Sequence, residues 1–185
     1  MGRVIANFYA SLDGVVEAPE RWQFPYFDAQ MQAAMERSTG ASAFLMGRRL
    51  YELWSGYWPG AERAETGLAR DSASVFARFI NRVPKYVVSS SLNDPGWAGT
   101  TVLRGADEVR ALRQRVDGEI AMAGSATLVR SLLAEGLVDE LRLLVHPVVL
   151  GRGGRLFGEG DRHDLRLVSH EAFDSGVMSL AFVPA

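Results

Sequence analysis

One pattern recurs along this chain: a short apolar run, a turn of glycine or serine, then a stretch with helical periodicity. Residues 4–9 read as a strand that stops at Ser11-Leu12-Asp13-Gly14, where Asp-Gly marks a turn. Residues 17–27 carry Pro19, Trp22, Pro25 and further aromatics and read as a structured loop. Residues 28–37 read as a helix, with Phe27, Met31 and Met35 four apart on one face. The run at 43–46 closes on Gly47 and enters a helix at 48–54, which Tyr57-Trp58-Pro59-Gly60 is expected to end. A surface loop at 61–66, a helix at 72–80 and a strand at 85–88 follow, the strand stopping at Ser89-Ser90-Ser91. Strands at 100–103 and 118–123 alternate with helices at 106–116 and 125–135; Ser125 is a candidate cap and Gly136 a stop for the second helix. Strands at 138–145, 165–169 and 177–183 complete the chain, the last two as an antiparallel pair around Asp174-Ser175-Gly176. This order predicts an α/β fold with a central, mostly parallel sheet and a C-terminal antiparallel edge, in one domain spanning 1–185.

Composition narrows the chemistry. With no cysteine, disulfides, thiol catalysis and cysteine metal sites are excluded. His163 and His170 lack close carboxylate spacing, so no metal site is expected. A net charge of -2 gives no general attraction to nucleic acid. No run of 18 apolar residues occurs, and the first residues, MGRVIANFYASLDG, do not read as a signal peptide. A soluble, cytoplasmic protein is therefore expected. Lys85 is the only lysine, so an anchor for an anionic ligand is expected to be an arginine, whose planar fork suits phosphate.

In open α/β sheets, ligands gather at the carboxyl ends of strands. Here three strands end in loops with small or hydroxyl residues: Gly47-Arg48-Arg49, Ser89-Ser90-Ser91 and Gly124-Ser125-Ala126-Thr127. Two of these lead directly into helices, whose N-termini favour anions. Neither the P-loop pattern nor the G-x-G-x-x-G dinucleotide fingerprint is present, and each loop taken alone also reads as an ordinary turn.

As an ordered set, these pieces resemble the dihydrofolate reductase superfold. The match is nearer to the bacterial deaminase-reductase C-terminal (RibD C-terminal-like) domains of riboflavin biosynthesis. The residues that carry it are Ser11-Leu12-Asp13-Gly14, Leu45-Met46-Gly47-Arg48 with Tyr51-Glu52, Lys85 to Ser89, Ala123-Gly124-Ser125 with Leu128-Val129, and the stretch 143–153 with Pro147. The resemblance implies NADPH as cofactor. Gly47 and Arg48 would meet its phosphates, Arg48 or Arg49 its 2′-phosphate, Ser89 and Ser90 its adenosine side, and Gly124, Ser125, Ala126 and Thr127 its pyrophosphate. Ser125 stands where dihydrofolate reductases place a second glycine, which weakens a folate substrate more than a nucleotide cofactor. The zinc motif of the deaminase half is absent.

On the substrate side the resemblance points to Asp13 in the first loop and to Asp28 at the first helix as candidate catalytic acids, with Glu17 a further acid. Both have plainer readings, as a turn residue and as a favourable first-turn charge. Trp22, Phe24, Tyr51 and Trp54 are candidate walls for a flat heterocycle, pterin-like or pyrimidine-like, and His146 a candidate contact. Arg152 and Arg155 would suit a substrate phosphate. The resemblance implies a homodimer, since relatives of this kind often form symmetric dimers through late sheet strands, and Leu141, Leu143 and Val145 leave room for such a contact. Two readings without catalysis stay open: a nucleotide- or flavin-binding protein of the same fold, and a protein-binding module whose three loops are ordinary turns.

Overall fold

The computed structural model describes residues 1–61 and 68–185, and side chains for all of these except 68–74. The loop expected at 61–66 falls, beyond Ala61, outside the described residues. The elements in order are β1 (Arg3–Ser11), α1 (Ala29–Arg37), β2 (Ala43–Gly47), α2 (Arg48–Ala61), α3 (Leu68–Arg82), β3 (Lys85–Val88), β4 (Thr100–Leu103), α4 (Ala106–Arg115), β5 (Glu119–Ala123), α5 (Ala126–Ala134), β6 (Glu140–His146), β7 (Leu165–Ala172) and β8 (Met178–Pro184). The strands form an eight-stranded sheet in the order β4-β3-β2-β5-β1-β6-β8-β7. Pairing is parallel from β4 to β6 and antiparallel for β6–β8 and β8–β7.

Alternation along β2 shows how the layers divide. Leu45 packs with Val109 and Leu112 of α4 and Val129 and Leu132 of α5. Phe44 and Met46 pack with Tyr51 of α2 and Ile80 of α3 on the opposite face. Met31 of α1 joins Tyr9 and Leu144 in a smaller cluster. The chain thus winds β1–β2–β3 outward with its helices on one face and returns through β5 and β6 with helices on the other. This arrangement opens a crevice where neighbouring strands send their helices to opposite faces, beside the carboxyl end of β5.

Two expectations change. The helix expected to stop before Tyr57 runs on to Ala61 with Pro59 inside it. Proline there forfeits only one bond, late in the helix. The Trp58 carbonyl accepts from Asn81 Nδ2 at 2.9 Å, and Trp58 packs edge-on against Trp54 and Phe76. Leu141, Leu143 and Val145 do not offer a free face, because β6 is paired on both sides and these residues belong to the core on the α4–α5 side. On this side the sheet ends at β7, an edge strand that is nearly all exposed.

Lys85 is fully buried. Its Nζ donates to the carbonyls of Ile80 (3.0 Å), Val83 (3.0 Å) and Asn81 (3.3 Å), so it caps the end of α3, and burial pushes its pKa down. It also sits 4.8 Å from the Trp97 ring centre.

Candidate active site

The three loops singled out in the sequence leave adjacent strands, β3, β2 and β5. Gly47 N donates to Ser125 Oγ at 3.0 Å, joining the start of α2 to the start of α5. Ser125 therefore does not cap its own helix with its side chain, as its position suggested; its hydroxyl is spent across the seam. Because the first N–H groups of a helix lack carbonyl partners ahead of them, Arg48 and Arg49 on one side and Ala126 and Thr127 on the other aim donors at this end of the sheet. Gly124 needs its glycine for the chain's own sake, with φ at +60° and Leu50 Cδ1 only 3.2 Å from where a Cβ would stand. Gly47 does not: a Cβ there meets nothing nearer than Ser125 Oγ at 3.6 Å. The seam thus brings two helix starts together, an arrangement that suits an anionic group, and a Cβ at Gly47 would make only ordinary contacts there.

The flanking cations are unequal. Arg48 is held by Glu52 at 2.7 Å. Arg49 is exposed. Ser89 is occupied in shaping its own turn: its hydroxyl accepts from Leu92 N at 3.0 Å and Ser91 N at 3.2 Å, while Ser90 is exposed. Arg104, which the sequence reading passed over, donates from Nη1 to the Ser89 carbonyl at 2.8 Å and adds a third cation to this side. Its position immediately after β4, at a carboxyl end like the others, was the signal available for it.

On the other flank, the loop after β1 clasps the loop after β6. Asp13 Oδ1 accepts from Ser11 Oγ (2.7 Å) and Leu150 N (3.1 Å), and Oδ2 from Gly151 N (2.9 Å). Arg155 Nη2 reaches Oδ2 at 3.4 Å. Glu17 Oε2 accepts from Gly154 N at 2.7 Å. The Ser11 hydroxyl and the Leu150 amide hold the Asp13 carboxyl well below its ordinary pKa. Asp28 caps α1, Oδ1 accepting from Met31 N at 2.8 Å, and Oδ2 takes Ser175 N of the β7–β8 turn at 3.3 Å. These backbone bonds, Met31 first, lower its pKa as well. Both acids are thus anionic and fully engaged. Arg155 is committed to Asp13, and Arg152 is exposed.

The aromatic candidates separate. Tyr51 and Trp54 lie in the cluster under α2 and α3, where Tyr51 Oη accepts from Trp97 N at 3.2 Å and Trp54 packs on Phe44. Phe24 is 53% exposed. Trp22 meets His146, with ring centres 5.1 Å apart. Tyr26 and Tyr9, neither singled out from sequence, complete the surroundings of that histidine. Burial pushes the Tyr9 phenol up to about 12, so it stays neutral.

Residues 3–179 match the family model described as the RibD C-terminal domain. The chain is 28% identical over 186 residues to the YyaP protein of Bacillus subtilis (strain 168), covering 97% of this chain and 94% of that one. A crystal structure from Shewanella sp. PV-4, described as a riboflavin biosynthesis protein, superposes with a TM-score of 0.69 at 17% identity over 99% of both chains. The Thermotoga maritima diaminohydroxyphosphoribosylaminopyrimidine deaminase/5-amino-6-(5-phosphoribosylamino)uracil reductase gives a TM-score of 0.64 at 17% identity; all of this chain is covered, but only 57% of that one. The fold is the dihydrofolate reductase-like one that the resemblance implied. Among the described residues, no helix is long and apolar enough to cross a membrane.

Proposed function

The chain belongs to the RibD C-terminal domain family, a reductase family, and from that premise we propose that it passes a hydride from NADPH to a C=N or C=O group of a small pyrimidine-like or pterin-like heterocycle. The observation that supports this reading is the Gly47–Ser125 seam, where the starts of α2 and α5 meet at the carboxyl end of the sheet. NADPH, when bound, supplies the hydride, and the chain supplies orientation and field. Ala126, Thr127 and the first amides of α2 hold the pyrophosphate; Ser90 and Arg104 flank the adenosine. Arg49 is the better partner for the 2′-phosphate, since Arg48 is already neutralised by Glu52.

Asp13 and Asp28 act as positioning residues. A carboxylate held below its ordinary pKa has no proton to donate near neutral pH, so the proton that accompanies the hydride comes from solvent. Asp13 fixes the loop over the substrate side, and Trp22 and His146 line that side. Residues 1–185 act as one reductase domain, and two copies pair through the open β7 edge, where Leu167 and Val168 are 44% and 45% exposed.

The test is acceptor-dependent oxidation of NADPH, followed by its absorbance, with 5-amino-6-(5-phosphoribosylamino)uracil and simpler aminopyrimidines and pterins as acceptors. Turnover with one of them is expected. NADPH that binds but is consumed with no acceptor of these classes contradicts the catalytic reading.

A further inference from the structure

His146 closes β6 beside Ser11 of β1 and is fully buried. Its Nδ1 lies 2.9 Å from the Leu144 carbonyl and 3.3 Å from the Ala10 carbonyl. Carbonyls only accept, so Nδ1 carries the proton and Nε2 is left as a lone-pair acceptor. That Nε2 is buried and has no hydrogen-bond partner. Around the imidazole stand three rings, Trp22, Tyr26 and Tyr9, with centres 5.1, 5.6 and 6.1 Å away and planes steeply inclined to it. A buried acceptor without a donor works against folding, and a phenylalanine would fill the same space without that cost.

The cover over this histidine is a loop rather than a strand or a long helix. Trp22 and Tyr26 come from a segment whose only regular structure is two single-turn helices, Pro19–Arg21 and Phe24–Tyr26. It hangs from Ala18, the one non-glycine residue among those described with positive φ, at 47°. Gln23 Oε1, on the same segment, is a second buried acceptor without a partner. Among the described residues the segment's hydrogen bonds are local, Arg21 N to Ala18 O, Trp22 N and Gln23 N to Pro19 O, Tyr26 N to Gln23 O, Phe27 N to Phe24 O and Trp22 Nε1 to Glu17 O, so it can lift from His146 as a unit without breaking bonds to the sheet.

We infer that His146 Nε2 is the specificity contact of the substrate pocket: it accepts a hydrogen bond from a ring N–H of a flat heterocycle, admitted when Trp22 and Tyr26 move aside and then held between aromatic walls. This deepens the reductase reading and rests on it. It selects ligands with a donor on the ring edge over isosteres without one, since a site built to pair with a donor discriminates against its absence.

The probes are uracil and dimethyluracil, in which both ring N–H groups are methylated. Wild type, His146→Phe and His146→Gln are each titrated first with NADPH and then, NADPH-loaded, with either probe by calorimetry. Wild type is expected to bind uracil at least tenfold more tightly than dimethyluracil. His146→Phe is expected to lose that preference while keeping NADPH binding, and His146→Gln, whose Oε1 is an acceptor, to recover part of it. A second readout needs no variant: the ¹⁵N resonance of His146 Nε2 is expected to move with uracil and to stay with dimethyluracil. The inference is overturned if wild type shows no preference or binds neither probe, if His146→Phe keeps the preference, or if the resonance does not respond. Intact NADPH binding in those cases leaves the reductase reading standing; wild type that binds no NADPH removes that reading itself.

Discussion

Gly47→Ala separates what the fold needs from what a cofactor needs. The glycine ends β2, is not among those with positive φ, and a Cβ there stands 3.6 Å from Ser125 Oγ, 3.8 Å from Ser125 Cβ and 3.9 Å from Leu128 Cβ. These are ordinary contacts, so the methyl fits. Where the native backbone accepts it, alanine reduces the freedom of the unfolded chain and stabilises by about 0.4–1 kcal/mol. At about 2–4 °C per kcal/mol for a chain of this size, the melting temperature stays level or rises by about 1–4 °C. The same methyl sits in the seam between two helix starts, where the account puts a pyrophosphate in close approach to backbone. NADPH affinity is expected to fall at least tenfold, or about 1.4 kcal/mol. Differential scanning fluorimetry and a calorimetric titration of the same samples read both quantities. A variant that melts as expected yet binds NADPH within twofold of wild type refutes the argument for the seam.

Lys85→Met keeps the aliphatic stem and strips three carbonyls at the end of α3 of their donor. A loss of about 2–4 kcal/mol follows, seen in thermal melts as a fall of roughly 4–16 °C, with NADPH affinity unchanged; an unaltered melting temperature contradicts the capping role. Asp13 and Asp28 both have folded pKa values below the ordinary 3.8, so the unfolded chain takes up protons first as pH falls. Their contribution is complete above about pH 5 and is lost as pH drops towards the folded values. Urea midpoints measured across that range should decline with acid, and Asp28→Asn should flatten the decline; a wild-type midpoint constant down to about pH 2 contradicts it.

Much of the fold was legible because buried parallel strands and amphipathic helices leave plain periodicities. Residues 43–46 and 118–123 could be read as strands, and Gly136 as a helix stop, from local chemistry alone. The β2–β3–β5 loop set could be read too, since each loop follows a strand directly. Less visible was whatever depended on contacts across the chain. The run of α2 through Pro59 rests on Asn81 and Phe76. The use of Ser125 Oγ by Gly47 joins positions 78 residues apart. Asp13 and Asp28 showed their carboxylates in the sequence but not the amides of Leu150, Gly151 and Ser175 that occupy them. Tyr51 and Trp54 read as candidate pocket walls because an aromatic on a helix looks the same whether it faces a ligand or a core; both pack in the α2–α3 cluster, and Tyr51 also lines a cavity with Trp97 and Asn81.

The most direct test of the central claim is a calorimetric titration of the purified protein with NADPH, with NADH alongside. One saturable NADPH site per chain is expected, with weaker NADH binding and with the difference reduced by Arg49→Ala. Folded protein that binds neither nucleotide up to millimolar concentration would contradict it and return the Gly47–Ser125 seam to a purely structural role.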